Sequence, residues 1–522
     1  MPHYSPILLG IAFAALVVAL SALARRLPIP TPILQLVAGL VIGLSPLVAI
    51  PDLDPDLIFF VFLPPILWSA AMFTSPREFG RNFGSIGTLA VGLVLMTTIV
   101  VAIAAHALMP GMPWAVAFAL GAIVSPPDAV AATAIVSRLP VPRRVISVLE
   151  GESLVNDASA LVLYRTAVAA AVIGKFSWGE SIVRFFIDAG IGVLIGLLVG
   201  WLIIRAACWT KDALAETLLT LAGPYVAWMS AETVHVSAVL ACVAGGLYVQ
   251  QKLSIAVAPG SRLEIRMVWD LLIFLLNASV FLLLGAQFGT LIGDLSGQSI
   301  LYVIRTGAII SLVAVIARLV WVPVVTFLRR LRTGEPRATS ERWKSRFLVS
   351  WTSMRGVVSL ATALALPRVL ADGSPFPFRT EIILITMCVI IFTLLVQGLS
   401  LEPIIRLFKF EPEQQHQEEE RLARREATRR GAEALEDLAH EDWADPRDVA
   451  VLRAEVRDRA RMSDQRGGNH VGRRRLRLGM IAAERRMLIR LRNEGAISDE
   501  VLRALEQELD LESVRVGGGD ER

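Results

Sequence analysis

The first 410 residues run as a series of apolar stretches, each close to the length that crosses a lipid bilayer, and that series decides the fold class. A spanning helix needs about 20 mainly apolar residues. Thirteen stretches are read from the sequence, at 6–24, 33–50, 57–74, 84–107, 114–136, 145–173, 182–205, 213–230, 233–250, 267–290, 299–328, 346–366 and 381–405. In hydrocarbon the backbone polar groups must be satisfied internally, which favours helices. Clusters such as Pro28-Ile29-Pro30 and Pro110-Gly111-Met112-Pro113 mark the joints. The expected fold is an all-α polytopic membrane protein with about 13 transmembrane helices.

Charge divides the chain in the same place. From Glu411 to Arg522 there are 22 Arg and 26 Asp+Glu, out of 51 basic and 47 acidic residues in the whole chain. A soluble domain carries about 25 % charged residues, and the first 410 positions fall well short of that. A one-domain soluble enzyme, a secreted disulfide scaffold and a disordered chain are excluded. The expected division is a membrane domain at 1–410 and a charged, helical tail at 411–522. In the tail, Met480, Ile481, Met487, Leu488 and Leu491 and then Val501, Leu502, Leu505 and Leu509 have helical spacing, with Ser498 as an N-cap. Acids outnumber arginines there, so the tail reads as a solvated helical surface and no nucleic-acid partner is expected. Cys208, Cys242 and Cys388 lie in or beside apolar runs without CxxC spacing and read as small hydrophobes.

Basic residues set the orientation. With the N-terminus outside, the inner joints hold 19 Lys and Arg, and the outer joints hold only Lys175, Arg368 and Arg379. Arg25-Arg26 follows the first apolar run, the reverse of a secretory signal. An odd number of spans then places the tail in the cytoplasm, and the expected location is the cell (inner) membrane.

Ionisable residues within a membrane are costly and by default mark a transport pathway. Asp128, Glu152 and Asp157 fall inside apolar sequence, as do Arg165, Arg305, Arg318 and Arg355. Arg165 and Arg305 read better as structural pairs or snorkelling groups. The sixth span contains Glu152-Ser153-Leu-Val-Asn156-Asp157. At 3.6 residues per turn, Glu152 and Asn156 share one face and Ser153 and Asp157 the next. Oxygen ligands of this kind suit a hard cation. A carboxyl removed from water favours its protonated form, so one such site exchanges a proton for a cation.

Two spans are interrupted. Ser125-Pro126-Pro127-Asp128 removes two backbone donors, and Ser350-Trp-Thr-Ser-Met-Arg355-Gly356 is a small-residue interruption in the other half. Such breaks are tolerated in a membrane only where they are buried or line a cavity. Transporters with inverted repeats place a pair of them at the substrate site.

Phe62-Leu63-Pro64-Pro65-Ile66-Leu67, Ser125-Pro-Pro-Asp128-Ala-Val130, Gly151-Glu152-Ser153-Leu-Val-Asn156-Asp157-Ala158, Met354-Arg355-Gly356 and Gln397-Gly-Leu-Ser-Leu401 together resemble the monovalent cation/proton antiporter 1 family, which contains the sodium/proton exchangers. The resemblance covers roughly residues 5–410. It implies 13 helices, inverted repeats with crossed broken helices, a homodimer and alternating access. It makes Asp157 the carrier of Na⁺ or H⁺, with Ser153, Asn156, Asp128 and Pro127 beside it. It pairs Glu152 with Arg318 and places Pro126, Pro127, Arg355 and Gly356 at the helix breaks. No cofactor is implied; transported Na⁺ at Asp157 is the metal, with K⁺ or Li⁺ as variants. The chain departs from the pattern at Pro127, where Thr is frequent, and at Ser69, where many members have an acid.

The expected function is therefore an electroneutral Na⁺/H⁺ antiporter serving pH homeostasis, a secondary transporter rather than an enzyme. A K⁺/H⁺ antiporter is the nearest alternative. A passive cation channel lacks a carbonyl-rich filter, a membrane enzyme lacks HExxH, GxSxG and a phosphate loop, and a tail-signalling sensor stays open.

Overall fold

The computed structural model describes residues 6–27, 29–45, 55–75, 80–81, 84, 86–128, 132–133, 136, 139, 141–173, 178–293, 297–333, 340–370, 373–410, 414–441, 443–464, 470–494, 496 and 498–516. Among them the chain is helical, apart from one antiparallel bridge between Val369 and Pro375. It divides into two compact units, Met1–Pro412 and Glu413–Arg522.

The first unit contains α1 (Pro6–Arg26), α2 (Thr31–Leu44), α3 (Pro55–Phe73), α4 (Val94–Leu108), α5 (Trp114–Val124), α6 (Arg143–Ile173), α7 (Trp178–Thr210), α8 (Ala213–Thr233), α9 (Ala238–Ala256), α10 (Pro259–Gly293), α11 (Gly297–Thr333), α12 (Ser340–Trp351), α13 (Val357–Leu364) and α14 (Arg379–Phe408). Local chemistry sets several boundaries. Asp212 caps α8 by accepting from Ala215 N at 3.0 Å, and Ser237 caps α9 by accepting from Leu240 N at 3.3 Å. A π-helical turn, Thr88–Leu93, leads into α4. The indole of Trp321 donates to Thr88 O there, at 3.2 Å.

Among the described residues, five helical segments are long and apolar enough to cross a membrane: Thr88–Leu108, Phe186–Thr210, Pro259–Ile292, Ile300–Leu328 and Arg379–Phe408. Thr31–Leu44, Phe60–Phe73 and Trp114–Val124 are apolar but shorter. Two of the other stretches read as spans are interrupted by charge or by a break. α6 carries Glu150, Glu152, Asp157 and Arg165, and the twelfth stretch is cut in two between α12 and α13. Burial sorts the long helices. Only 28 % of the Phe186–Thr210 window is buried, against 72 % for Arg379–Phe408. An outward face of Leu194, Leu198, Trp201 and Leu202 suits lipid, whereas α14 is central. α2 and α10 touch backbone to backbone: a Cβ on Gly39 would strike the Leu282 carbonyl, and one on Gly285 the Leu36 carbonyl.

The second unit contains α15 (Gln414–Leu438), α16 (Pro446–Asp464), α17 (His470–Asn493) and α18 (Asp499–Val516). α15 packs on α16, and α17 on α18. The apolar spacing read from the sequence falls on the last two; the first two carry exposed ion pairs. Arg453 Nε donates to Glu436 at 2.8 Å, and Arg429 binds Glu426 and Glu433 within its own helix. Ser498 accepts from Val501 N at 3.2 Å, the N-cap read from the sequence.

Candidate functional site

Helix α5 stops at Val124 because Pro126 and Pro127 cannot donate to its last turn. Residues 125–128 are non-helical, as are 352–356 between α12 and α13. The two interruptions meet. Asp128 N donates to Met354 O at 2.6 Å, and a Cβ on Gly356 would run into the Asp128 carboxylate. Arg355 is 1 % exposed and ties the junction together. Its Nε donates to Val124 O at 2.9 Å, and its Nη1 to the carbonyl and, at 2.9 Å, the hydroxyl of Ser353. The last carbonyls of α5 lack helical partners, and the guanidinium meets them with donors and a favourable charge. Gln397 Nε2 donates to Ser353 Oγ at 2.9 Å, and Thr393 Oγ1 accepts from Arg355 N at 3.2 Å, so α14 braces the second break.

Helix α6 passes this junction with two differently used faces. Asn156 is fully buried and donates through Nδ2 to the Pro127 carbonyl at 3.1 Å, a carbonyl released by the break. Glu152, also buried, receives both terminal nitrogens of Arg318; Nη2 to Oε2 is 2.6 Å. Arg318 Nε donates onward to Val349 O at 3.0 Å. The fork-to-fork geometry satisfies both buried charges, as a low-dielectric interior requires. Arg165 lies at the surface, 3.4 Å from Glu232, and Arg305 is exposed.

A cavity of about 550 Å³ opens between the breaks and α6. Asp157, Ser153, Asp128, Pro126, Pro127 and Gly356 line it, with Ser69 of α3. Asp157 is 5 % exposed. Asn156, Glu152, Arg318 and Arg355 stand behind this wall rather than on it. The lining also contains Glu150, Asp270, Asn277 and Ser359, which the sequence reading did not single out as site residues. A signal for Asn277 was present, since it interrupts Leu-Leu-Ile-Phe-Leu-Leu with a lone amide. Ser359 gave none. Asn156 Oδ1, Asn277 Oδ1 and Ser359 Oγ are buried and make no hydrogen bond. Such an atom costs about 1–3 kcal/mol. The carboxylates of Asp157, Asp128, Glu150 and Asp270, with hydroxyls and one amide oxygen around the same cavity, can hold a hard monovalent cation or a proton in turn.

Comparison with known proteins agrees with this chemistry. The family described as sodium/hydrogen exchanger, transmembrane, matches residues 11–407. A Na⁺/H⁺ exchanger of Mycobacterium tuberculosis strain H37Rv is 33 % identical over 527 residues, 97 % of this chain and 95 % of that one. A protein of Bacillus pumilus named sodium, potassium, lithium and rubidium/H⁺ antiporter is 34 % identical over 398 residues, 74 % of this chain and 59 % of that one. The fold is similar to that of the sodium proton antiporter MjNhaP1 from Methanocaldococcus jannaschii, with a TM-score of 0.60 at 20 % identity, over 78 % of this chain and all of that one. With its apolar helices, its two interrupted helices and these relatives, the chain belongs to the transmembrane sodium/hydrogen exchanger family and is a multi-pass membrane transporter.

Proposed function

We propose that this exchanger carries Na⁺ one way and H⁺ the other on the Asp157 carboxylate, one for one, by alternating access of the cavity. The observation that carries the reading is the convergence of Asp157 and Asp128 on one cavity at the junction of two helix breaks. Asp157 bears the load, and Ser153, Asn156 and the Pro127 carbonyl position it. Asp128 keeps its charge beside the exposed dipole ends. The occupied site then has equal charge with either ion, so exchange is electroneutral. Thirteen spans in inverted repeats, an outside N-terminus, a cytoplasmic tail, an inner-membrane location and a homodimer complete the proposal. What supports the repeats is the pair of breaks, one in each half of the membrane unit.

K⁺/H⁺ exchange is a second reading, favoured by Ser69 where related exchangers carry an acid and by the name of the Bacillus pumilus relative. The test is dequenching of a pH dye in proteoliposomes on addition of Na⁺, K⁺ or Li⁺, with the potential clamped by K⁺ and valinomycin in the Na⁺ arm. Na⁺-driven dequenching at a rate independent of voltage is expected. A rate that follows voltage would bring Asp128 into the carrier role, because each charge moved gains about 2.3 kcal/mol per 100 mV.

A further inference from the structure

Two oxygens on the cavity wall have no part in that scheme. Ser359 is 2 % exposed, lines the cavity with Asp157 and Asp128, and its Oγ makes no hydrogen bond. A helical serine or threonine ordinarily bonds a carbonyl one turn back. Ser279 does so to Leu275 O, Ser311 to Gly307 O and Thr362 to Val358 O. One turn before Ser359 lies Arg355, inside the break, and α13 begins only at Val357. The carbonyl one turn back therefore belongs to the break, and Ser359 Oγ bonds neither it nor the Gly356 carbonyl, which accepts from Leu360 N. The second oxygen is Asn277 Oδ1, buried and also without a hydrogen bond. Asp270, Ile273 and Asn277 fall three and four residues apart on α10, one stripe of a helix, and all three line the cavity.

We infer that Ser359 Oγ and Asn277 Oδ1 are cation ligands of this cavity, supplying neutral oxygens that complete the coordination of the transported ion and widen the site to K⁺ and Rb⁺. The inference rests on the antiport reading and deepens it. An alkali cation stripped of water needs several oxygens, and Asp157 supplies at most two. The number and field strength of the ligands sort alkali cations. Neutral oxygens discriminate less in favour of small ions than carboxylates do. On the α3 side, Ser69 presents a hydroxyl whose proton is given to Ile66 O at 3.0 Å, which leaves a neutral oxygen there too. Ser69, Asn277 and Ser359 thus bring hydroxyl and amide groups from three helices to the cavity, beside its carboxylates.

Na⁺, K⁺ and Rb⁺ chlorides are the probes, in proteoliposomes of the full chain containing wild type, Ser359→Ala, Asn277→Ala, Asn277→Asp or Asp157→Asn. Wild type is expected to exchange all three cations. Ser359→Ala and Asn277→Ala are expected to raise the apparent KM about three- to tenfold, the scale of one lost polar contact. Melting temperature stays where it was, because neither oxygen makes a hydrogen bond within the fold. Asn277→Asp adds a carboxylate and shifts the KM ratio toward Na⁺ over Rb⁺. Unmoved KM values in the alanine variants, a lowered melting temperature with KM unchanged, or Na⁺ exchange without K⁺ exchange in wild type would each overturn the inference. Abolition by Asp157→Asn with KM values unmoved at Ser359 and Asn277 would leave the carrier standing and remove the ligands. Exchange that survives Asp157→Asn, with KM still raised by Ser359→Ala, would do the reverse.

Discussion

Glu152 and Asp157 stand five residues apart on one helix, equally withdrawn from water, and their surroundings are opposite. Glu152 is gripped by two nitrogens of Arg318, whose third nitrogen donates to Val349 O. Asp157 lines a cavity among hydroxyls and the carboxylates of Asp128, Glu150 and Asp270. The difference teaches how a membrane helix divides its buried charge. A carboxylate matched by a fork-shaped cation has its oxygens already occupied. One left facing a cavity keeps them open to an ion.

The strongest way to break that contrast is to neutralise each acid in turn. Asp157→Asn keeps the shape and removes the titratable proton and the anionic ligand. Exchange in proteoliposomes is expected to disappear between pH 6 and 9, with the melting temperature retained. Any residual cation-driven proton flux in that range would return Asp157 to a structural role.

The complementary change is expected to act on stability. Removing one partner of a buried pair costs about 3–5 kcal/mol, because the other charge is stranded. Arg318→Ala and Glu152→Gln should therefore lower the melting temperature and yield of purified protein clearly more than Asp157→Asn does. Equal melting curves for the three variants would erase the distinction between the two faces of α6.

Gly356→Ala sharpens the comparison at the junction itself. Its backbone, at φ −151°, is open to any residue, so the effect is steric and local. The new methyl meets the Asp128 carboxylate. Overpacking of this kind costs about 1–3 kcal/mol, and the displaced carboxylate should slow exchange by more than the same substitution at the exposed Gly190 of α7. Equal rates for the two alanine variants would count against Asp128 belonging to the site.

The smallest effect is expected in the tail unit. Arg453 hydrogen-bonds Glu436 and holds its carboxyl below the ordinary value, but both groups are exposed. A depressed carboxyl contributes stability above its unfolded pKa and loses it as pH falls through the folded value. Salt screens such a pair. Arg453→Ala should lower the melting temperature only slightly near neutral pH, and that difference should vanish below the carboxylate range, where the pair is lost. A large loss of stability at neutral pH would mean that exposed pairs here behave like the buried one.

Much of the site was legible before any coordinates because the membrane is an intolerant solvent. An acid or a Pro-Pro step in an apolar run is costly, so Asp128, Glu152, Asp157, Pro126 and Pro127 announce themselves. The identity of Arg355 and Gly356 as break residues was readable from the small-residue interruption in the same way. Ser359 was not readable, since a lone hydroxyl in a helix is ordinarily satisfied by its own backbone, whereas the lone amide of Asn277 in an apolar run was a signal of its own. The helices of the tail behaved differently again. α17 and α18 were read from their apolar spacing, whereas α15 and α16 were not singled out, and both carry exposed ion pairs such as Arg429 with Glu433 and Arg453 with Glu436.

By itself the sequence determined that this chain is helical and belongs in a membrane, because apolar segments of that length cannot leave backbone groups unpaired in hydrocarbon. It also determined which charges had to be exceptional. Only the tertiary structure decided which of them neutralise each other. Glu152 meets Arg318 across 166 positions of sequence and Arg355 meets Val124 across 231, and no local spacing encodes such pairings. Ser359, just past the break before Val357, lines the cavity, and packing of α10 against the junction turns Asn277 toward the same space. Those are outcomes of how helices meet, and a single helix does not contain them.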